Sequence, residues 1–270
     1  MKIEVNNFNL EETITSGSCF RVLKEEDGSF TNILSDRVIN IKQDGNNIYV
    51  ESSKEDNLKE VILDYFDLKR DYKKIIKELS KIDDIKEIVN NCKNYKILNQ
   101  DSFEMCISYI ISQQNQVTKI SKSVNKLSEN YGTKVTFKNK EYYLFPTYQQ
   151  LKNISIEELK NYSVGFRDKY IREFLDRYES IPDLNKLSTK DALNELMKIK
   201  GIGIKVASCI LLFGYKRLDT FPIDTWVKKY ISYNYNIKDD VNYIKKFTEE
   251  KYKEYSGLVI QYMFHSERNK

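Results

Sequence analysis

Proline is nearly absent: the 270 residues contain 3, with only 9 glycines. This excludes collagen-like and proline-rich chains and leaves little loop punctuation, which favours long helices. Cysteine is scarce as well. Cys19, Cys92, Cys106 and Cys209 are scattered, with no Cys-x-x-Cys pair. Their spacing suggests neither a zinc ribbon nor a disulfide framework and excludes clustered-cysteine iron–sulfur ligation. Reduced thiols in a cytosolic protein are the default. The single histidine, His265, argues against a histidine-based metal site or a Ser-His triad. No apolar run approaches the roughly 20 residues that a membrane span needs. The opening stretch MKIEVNNFNLEET lacks the apolar core of a signal peptide, so none is expected. Charge of one sign is also lacking. Lys and Arg total 44 against 40 Asp and Glu, a formal excess of +4 that permits nucleic-acid binding without demonstrating it.

What is present is a globular composition, 40% hydrophobic and 31% charged, long enough for one large domain or two ordinary ones. In roughly the first fifty residues, the turn signals Asp27-Gly28 and Asp44-Gly45-Asn46 separate short β-type runs beginning at Ser29, Val38 and Ile48. These predict an antiparallel sheet. From Asn57 the period becomes helical, with Val61, Ile62, Tyr65 and Phe66, then Ile75, Ile76 and Leu79. From about Ser102 onward nearly everything reads as helix. The expected interruptions are a loop near 130–146, turns near Gly165 and Pro182, and the segment 200–224.

The informative stretch runs from Ser188 to Tyr230. Ser188 with Asp191 three residues on resembles a capping box, and Leu193, Leu196, Met197 and Ile199 give the helix an apolar face. Gly201-Ile202-Gly203 follows, then a second helix from about Ile204 to Phe213 that stops at Gly214. Two helices joined by Gly-x-Gly make a helix–hairpin–helix, whose free N–H groups suit a DNA phosphate and carry no base information. Taken alone, Gly-Ile-Gly also fits a plain tight turn. Lys205 lies just inside the second helix, with Cys209 at i+4 on the same face. Asp224, after Phe221-Pro222-Ile223, stands where a helix N-cap carboxylate belongs. A lysine, a thiol and a carboxylate could thus converge beside a phosphate-binding hairpin. A neutral lysine amine there could attack a sugar C1′ and form a Schiff base.

This segment resembles the helix–hairpin–helix/Gly-Pro-Asp superfamily of DNA glycosylases, and more closely the 8-oxoguanine DNA glycosylase family. The resemblance implies that Lys205 is the Schiff-base nucleophile. It implies that Asp224 caps its helix and stabilises positive charge on the sugar, and that Cys209 lies against the flipped base. Ser16-Gly17-Ser18-Cys19-Phe20-Arg21 is similar to the family's Gly-x-x-Phe-Arg element, in which the Gly17 carbonyl would read the N7–H peculiar to the oxidised purine. Ile111 to Gln116 is similar to the helix end that faces the cytosine left behind. It places Gln114, Asn115 and Gln116 there, and Lys119 where some members have an arginine. Val164-Gly165-Phe166-Arg167 resembles the Gly-aromatic-Arg segment, which makes Phe166 the wedge and assigns Arg167 to the DNA contact. Gly257 to Phe264 looks like the last helix of the pocket. Phe264 matches the stacking residue, and the base-reading glutamine falls on Ile260, with Gln261 one residue later.

The expected architecture is α+β, a twisted N-terminal antiparallel sheet with a mostly helical remainder. Residues 1–100 form the sheet and its packed helices. Residues 101–270 form the helical glycosylase region, with the hairpin at 188–214 and a Gly-Pro-Asp-type loop at 215–224. The expected activity is a bifunctional glycosylase and lyase that excises 8-oxoguanine from damaged double-stranded DNA by base flipping. The alternatives are a monofunctional alkylated-base glycosylase and a non-catalytic helix–hairpin–helix DNA-binding protein. No cofactor, metal or membrane partner is expected. The chain is expected to be a monomer in the cytoplasm, at the nucleoid of a bacterial cell.

Overall fold

The turn-separated β-type runs predict antiparallel strands. The computed structural model, which describes residues 1–268, gathers them into one five-stranded antiparallel sheet. Its strands are β1 (Lys2–Glu4), β2 (Val22–Lys24), β3 (Phe30–Ile33), β4 (Val38–Asp44) and β5 (Asn47–Ser52), in spatial order β1-β5-β4-β3-β2. The register pairs Phe30 with Ile41 and Ile41 with Val50. Sequence periodicity reveals only the three inner strands. The edge strands β1 and β2 have three residues each, too few for alternation to register. Helix α1 (Leu10–Ile14) and α2 (Leu58–Tyr65) cover the inner face, where Ile14, Ile39, Ile41, Ile48, Ile62 and Phe66 form one apolar cluster.

Residues 130–146 differ from the expected loop. They contain a hairpin of β6 (Lys134–Phe137) and β7 (Lys140–Tyr143). An isolated two-stranded hairpin is marginal in water. This one docks on the outer face of the sheet, with Phe137 and Tyr142 packed against Val38 and Lys138 donating to Asn40 Oδ1 at 2.9 Å. The signal was hidden because the stabilising partner lies about a hundred residues away in sequence.

The remainder is helical: α3 (Tyr72–Leu79), α4 (Lys86–Asn91), α5 (Ser102–Ile111), α6 (Val117–Tyr131), α7 (Tyr148–Leu151), α8 (Ile156–Lys160), α9 (Asp168–Arg177), α10 (Thr189–Met197), α11 (Ile204–Gly214), α12 (Thr225–Tyr235), α13 (Val241–Tyr252) and α14 (Ser256–Arg268). Every residue of α5 from Phe103 to Ile111 is buried, as is α11 from Val206 to Phe213. Helices enclosed on all sides belong in the interior, and these two pack together at the centre of the second apolar core. The cavity described below lies where the sheet half and this helical half meet. Among the described residues no helix is long and apolar enough to cross a membrane.

Candidate active site and nucleic-acid interface

The hairpin forms as the sequence predicts. Ser188 Oγ accepts from the Asp191 amide at 3.1 Å and so starts α10. Gly201 turns the chain at φ +93°, in the left-handed region. A Cβ at that position would stand 2.2 Å from Cγ of Tyr170, so only glycine fits. Gly203 is the N-cap of α11 and is exposed, with open space around it and no side chain to accept the first helical N–H groups. Those donors are left for an anion, and the helix dipole favours one.

Lys205 sits in the first turn of α11, its Nζ 5.7 Å from the centroid of the Tyr109 ring. Asp224 is the N-cap of α12, where its Oδ1 accepts from the Val227 amide at 2.9 Å. Both line a cavity of about 570 Å³, together with Cys209 one turn further along α11. Burial pushes the Cys209 thiol above its ordinary pKa and the Asp224 charge adds to this, while Lys205, within hydrogen-bonding reach, opposes it. The thiol is therefore held neutral beside the amine and the carboxylate.

The opposite wall comes from the sheet half. Gly17 adopts φ +88°. The turn around it is fastened by Gln100 Nε2 donating to the Ser18 carbonyl at 3.0 Å and by Arg268 Nη1 donating to the Thr15 carbonyl at 2.8 Å. The third wall is α14. Phe264 stacks on Trp226 with centroids 4.4 Å apart, and Trp226 stacks in turn on Tyr230 at 4.9 Å. Here one expectation needs correction. Ile260 is fully buried in the apolar core and does not line the cavity, whereas Gln261 does. The cause is the seating of the helix. The Gly257 amide donates to the Leu218 carbonyl at 2.6 Å, and a Cβ at Gly257 would stand 2.5 Å from the Thr220 carbonyl oxygen. That close approach fixes the rotation of α14. One residue, about 100° of turn, then separates a core side chain from a cavity side chain.

A second group of residues faces solvent beside the cavity. Gln114 is exposed at φ +48°, Gln116 is exposed as the N-cap of α6, and Lys119 is exposed one turn later. Asn115 is half-buried and turned back on its own chain, with Nδ2 donating to the Ile111 carbonyl at 3.2 Å and Oδ1 accepting from the Gln116 amide at 3.0 Å. Phe166 is 52% exposed, an unusual setting for a phenyl ring. Arg167 requires a second correction, because it is buried rather than displayed for DNA. Its Nε donates to the Gln113 carbonyl at 2.8 Å, its Nη2 to the Gln113 and Gln114 carbonyls, and its Nη1 to the Val164 carbonyl at 3.0 Å. The guanidinium lies 4.5 Å from the Phe166 ring centroid.

Sequence reasoning passed over Trp226 and His265, both of which line the cavity. Signals for them existed. Trp226 is the only tryptophan, two residues after Asp224, and His265 is one helical turn beyond Gln261. Among the described residues no group of three or more His, Cys, Asp or Glu side chains is arranged to hold a metal ion.

Residues 1–106 match the model of the 8-oxoguanine DNA glycosylase N-terminal domain, and residues 107–254 match that of the HhH-GPD superfamily of base excision DNA repair proteins. The chain is similar to the 8-oxoguanine glycosylase/lyase of Clostridium acetobutylicum in its apo form. The two are 36% identical over 97% of this chain and 94% of that one, with a TM-score of 0.92. It is also 27% identical over 198 residues to a probable N-glycosylase/DNA lyase of Methanothermobacter thermautotrophicus, covering 63% of this chain and 62% of that one. It is 29% identical over 231 residues to the N-glycosylase/DNA lyase of Saccharomyces cerevisiae, covering 77% and 61%. The matched part thus spans about three fifths of the length of these two curated relatives.

Proposed function

The chain belongs to the HhH-GPD superfamily of base excision DNA repair proteins, in its 8-oxoguanine DNA glycosylase branch. From that premise we propose that it is a bifunctional DNA glycosylase and AP lyase that excises 8-oxoguanine from duplex DNA. The observation that carries this reading is the meeting of Lys205, Cys209 and Asp224 in one base-sized cavity next to the open N–H groups of the hairpin.

In this reading the hairpin at Gly201 and Gly203 holds a phosphate while the damaged nucleotide turns out of the stack, at a cost of a few kcal/mol. Phe166 wedges into the duplex. Gln114, Asn115, Gln116 and Lys119 face the base left behind. The extruded purine lies between Cys209 and Phe264, with Gly17 and Gln261 at its edge. Lys205 Nζ, as the free amine, then attacks C1′. The C1′–N9 bond breaks, and the base leaves with the electron pair and takes up a proton. The carboxylate of Asp224 stabilises the positive charge that develops on the sugar. Opening of the sugar ring gives the Schiff base. Loss of a C2′ proton and of the 3′ phosphate breaks the C3′–O bond, and hydrolysis returns the free lysine. The sheet half, residues 1–100, supplies Gly17, and the helical half, residues 101–270, supplies the rest. The protein works as a monomer on damaged double-stranded DNA in the cytoplasm. The presence of Lys205 favours this reading over a monofunctional glycosylase, which needs only Asp224 and water.

Borohydride trapping on duplexes carrying 8-oxoguanine opposite each base tests it. A covalent adduct that disappears in Lys205→Gln is the expected result. Excision without an adduct would replace this reading with the monofunctional one. DNA binding with neither excision nor adduct would remove the 8-oxoguanine assignment.

A further inference from the structure

His265 takes no part in the chemistry above. It is only 7% exposed, yet it lines the base cavity from α14. Its ring lies flat on that of Tyr95, with centroids 5.2 Å apart and planes within 15°. Its Nε2 stands 3.6 Å from Oε2 of Glu12, close enough for an ion pair and too far for a hydrogen bond. Glu12 belongs to α1, and that oxygen is buried without a hydrogen-bond partner among the described residues. The Gly17 turn follows α1 directly. Helix α14 reaches the same segment a second time, through Arg268 on the Thr15 carbonyl. The last helix therefore meets α1 and the segment leading to the Gly17 turn at two points, and one of them is an imidazole, a group whose ordinary titration falls between about pH 5 and 8.

Resting on the glycosylase reading, we propose that His265 is a specificity-determining residue of the base cavity, whose pairing with Glu12 sets how close the Gly17 turn stands to the extruded base. In its neutral form the imidazole stays against Tyr95 as an uncharged wall. On protonation it closes on the Glu12 oxygen and draws α1, with the Gly17 turn, toward α14. A hydrogen bond from the base to the Gly17 carbonyl depends on a few tenths of an ångström, so this movement alters the discrimination between oxidised and normal guanine. Burial and Arg268 hold the imidazole toward its neutral form, and Glu12 opposes them. Among the described residues, the other titratable groups in reach include Glu267 on α14, Tyr95 and Cys92 at and after the end of α4, Lys96 near Glu12, and Lys205 and Asp224 across the cavity. The neutral form thus governs at ordinary pH, and the charged form enters on acidification.

With one histidine in the chain, its ring C–H resonance in a proton NMR titration needs no assignment. The expected midpoint lies below the free imidazole value, and Glu12→Gln lowers it further. Binding is then compared between 8-oxoguanine and guanine duplexes, using the Lys205→Gln protein to prevent turnover. The preference for the lesion should fall about threefold or more between about pH 7.5 and 5.5 and follow the NMR curve. It should be independent of pH once His265→Gln is added. A lesion preference with an unchanged pH profile in His265→Gln overturns this proposal alone, as does a midpoint that Glu12→Gln leaves in place. No lesion preference at any pH overturns the 8-oxoguanine reading and this proposal with it.

Discussion

Arg167 holds the carbonyl of Gln113 through two of its nitrogens at once, Nε and Nη2. Through the same guanidinium it joins the end of α5 to the turn that displays Phe166. Gln114, next in the chain, is a non-glycine residue at positive φ, and its carbonyl accepts from the same guanidinium. Replacement by methionine removes the guanidinium donors from the Gln113 and Gln114 carbonyls, leaves the Val164 carbonyl only the long backbone bond from residue 167, and should lower stability by about 2–4 kcal/mol. Lysine should not rescue it, because a single ammonium cannot make the fork. Denaturant titration of Arg167→Met and Arg167→Lys reads the loss.

Phe166 should behave in the opposite way. Its ring is half in solvent, so Phe166→Ala should change stability by no more than about 0.5 kcal/mol. Excision from duplex DNA should fall about tenfold or more, since in the proposed function Phe166 is the wedge that replaces lost stacking. Unchanged excision kinetics in a normally folded variant would remove Phe166 from the mechanism.

In the proposed mechanism Asp224 has two jobs that substitution separates. Asparagine keeps the cap on the Val227 amide, and Asn and Asp cap about equally well. Asp224→Asn should therefore melt like the parent protein while losing about a hundredfold or more in excision rate. Asp224→Ala should add a stability loss of about 1 kcal/mol. Melting curves beside single-turnover rates distinguish the two.

The adjacent pair on α14 offers a direct contrast. Ile260→Ala should cost about 2–5 kcal/mol through the cavity it opens in the core, with no change in base preference. Gln261→Leu should leave stability nearly unchanged and shift the ratio of 8-oxoguanine to guanine binding by about tenfold. Reversal of these effects would mean that Ile260, not Gln261, faces the base.

Glu104 predicts a pH dependence. It is buried in α5, and burial, opposed by Arg21 and assisted by Asp101, raises its pKa to about 7. Below the ordinary carboxylate pKa both folded and unfolded states hold the proton, and Glu104 contributes no slope. As pH rises from about 4.5 toward 7 the unfolded chain releases the proton first, so stability falls across that window and levels off above it. Glu104→Gln should abolish this decline and gain at most about 3 kcal/mol over the parent at pH 8. Urea midpoints between about pH 4.5 and 8 check the sign.

Much of this was readable without a fold. The three inner strands came from β-type runs and the turn residues between them. The hairpin came from Ser188, Gly201 and Gly203, and the capping position of Asp224 came from its place before a helix. Each depends on chemistry within a few residues, which sequence records directly. The β6–β7 hairpin did not show, because its support is the far side of β4. Arg167 was misread as a surface contact, because an arginine beside an exposed ring looks the same in sequence whether its donors face DNA or neighbouring carbonyls.

The sequence by itself determined which side chains carry the proposed chemistry. Lys205, Cys209 and Asp224 lie on or before helices whose periods and caps are local, so their types and spacing were legible. The tertiary structure alone decided what surrounds that chemistry. Whether Ile260 or Gln261 faces the cavity depends on how α14 is rotated, and Gly257 sets this by pressing against the carbonyls of Leu218 and Thr220. The approach of His265 to Glu12 and the bond from Arg268 to the Thr15 carbonyl likewise join the last helix of the chain to the first helix and the residue that caps it. Contacts between segments this distant follow from packing, and no local pattern in the sequence specifies them.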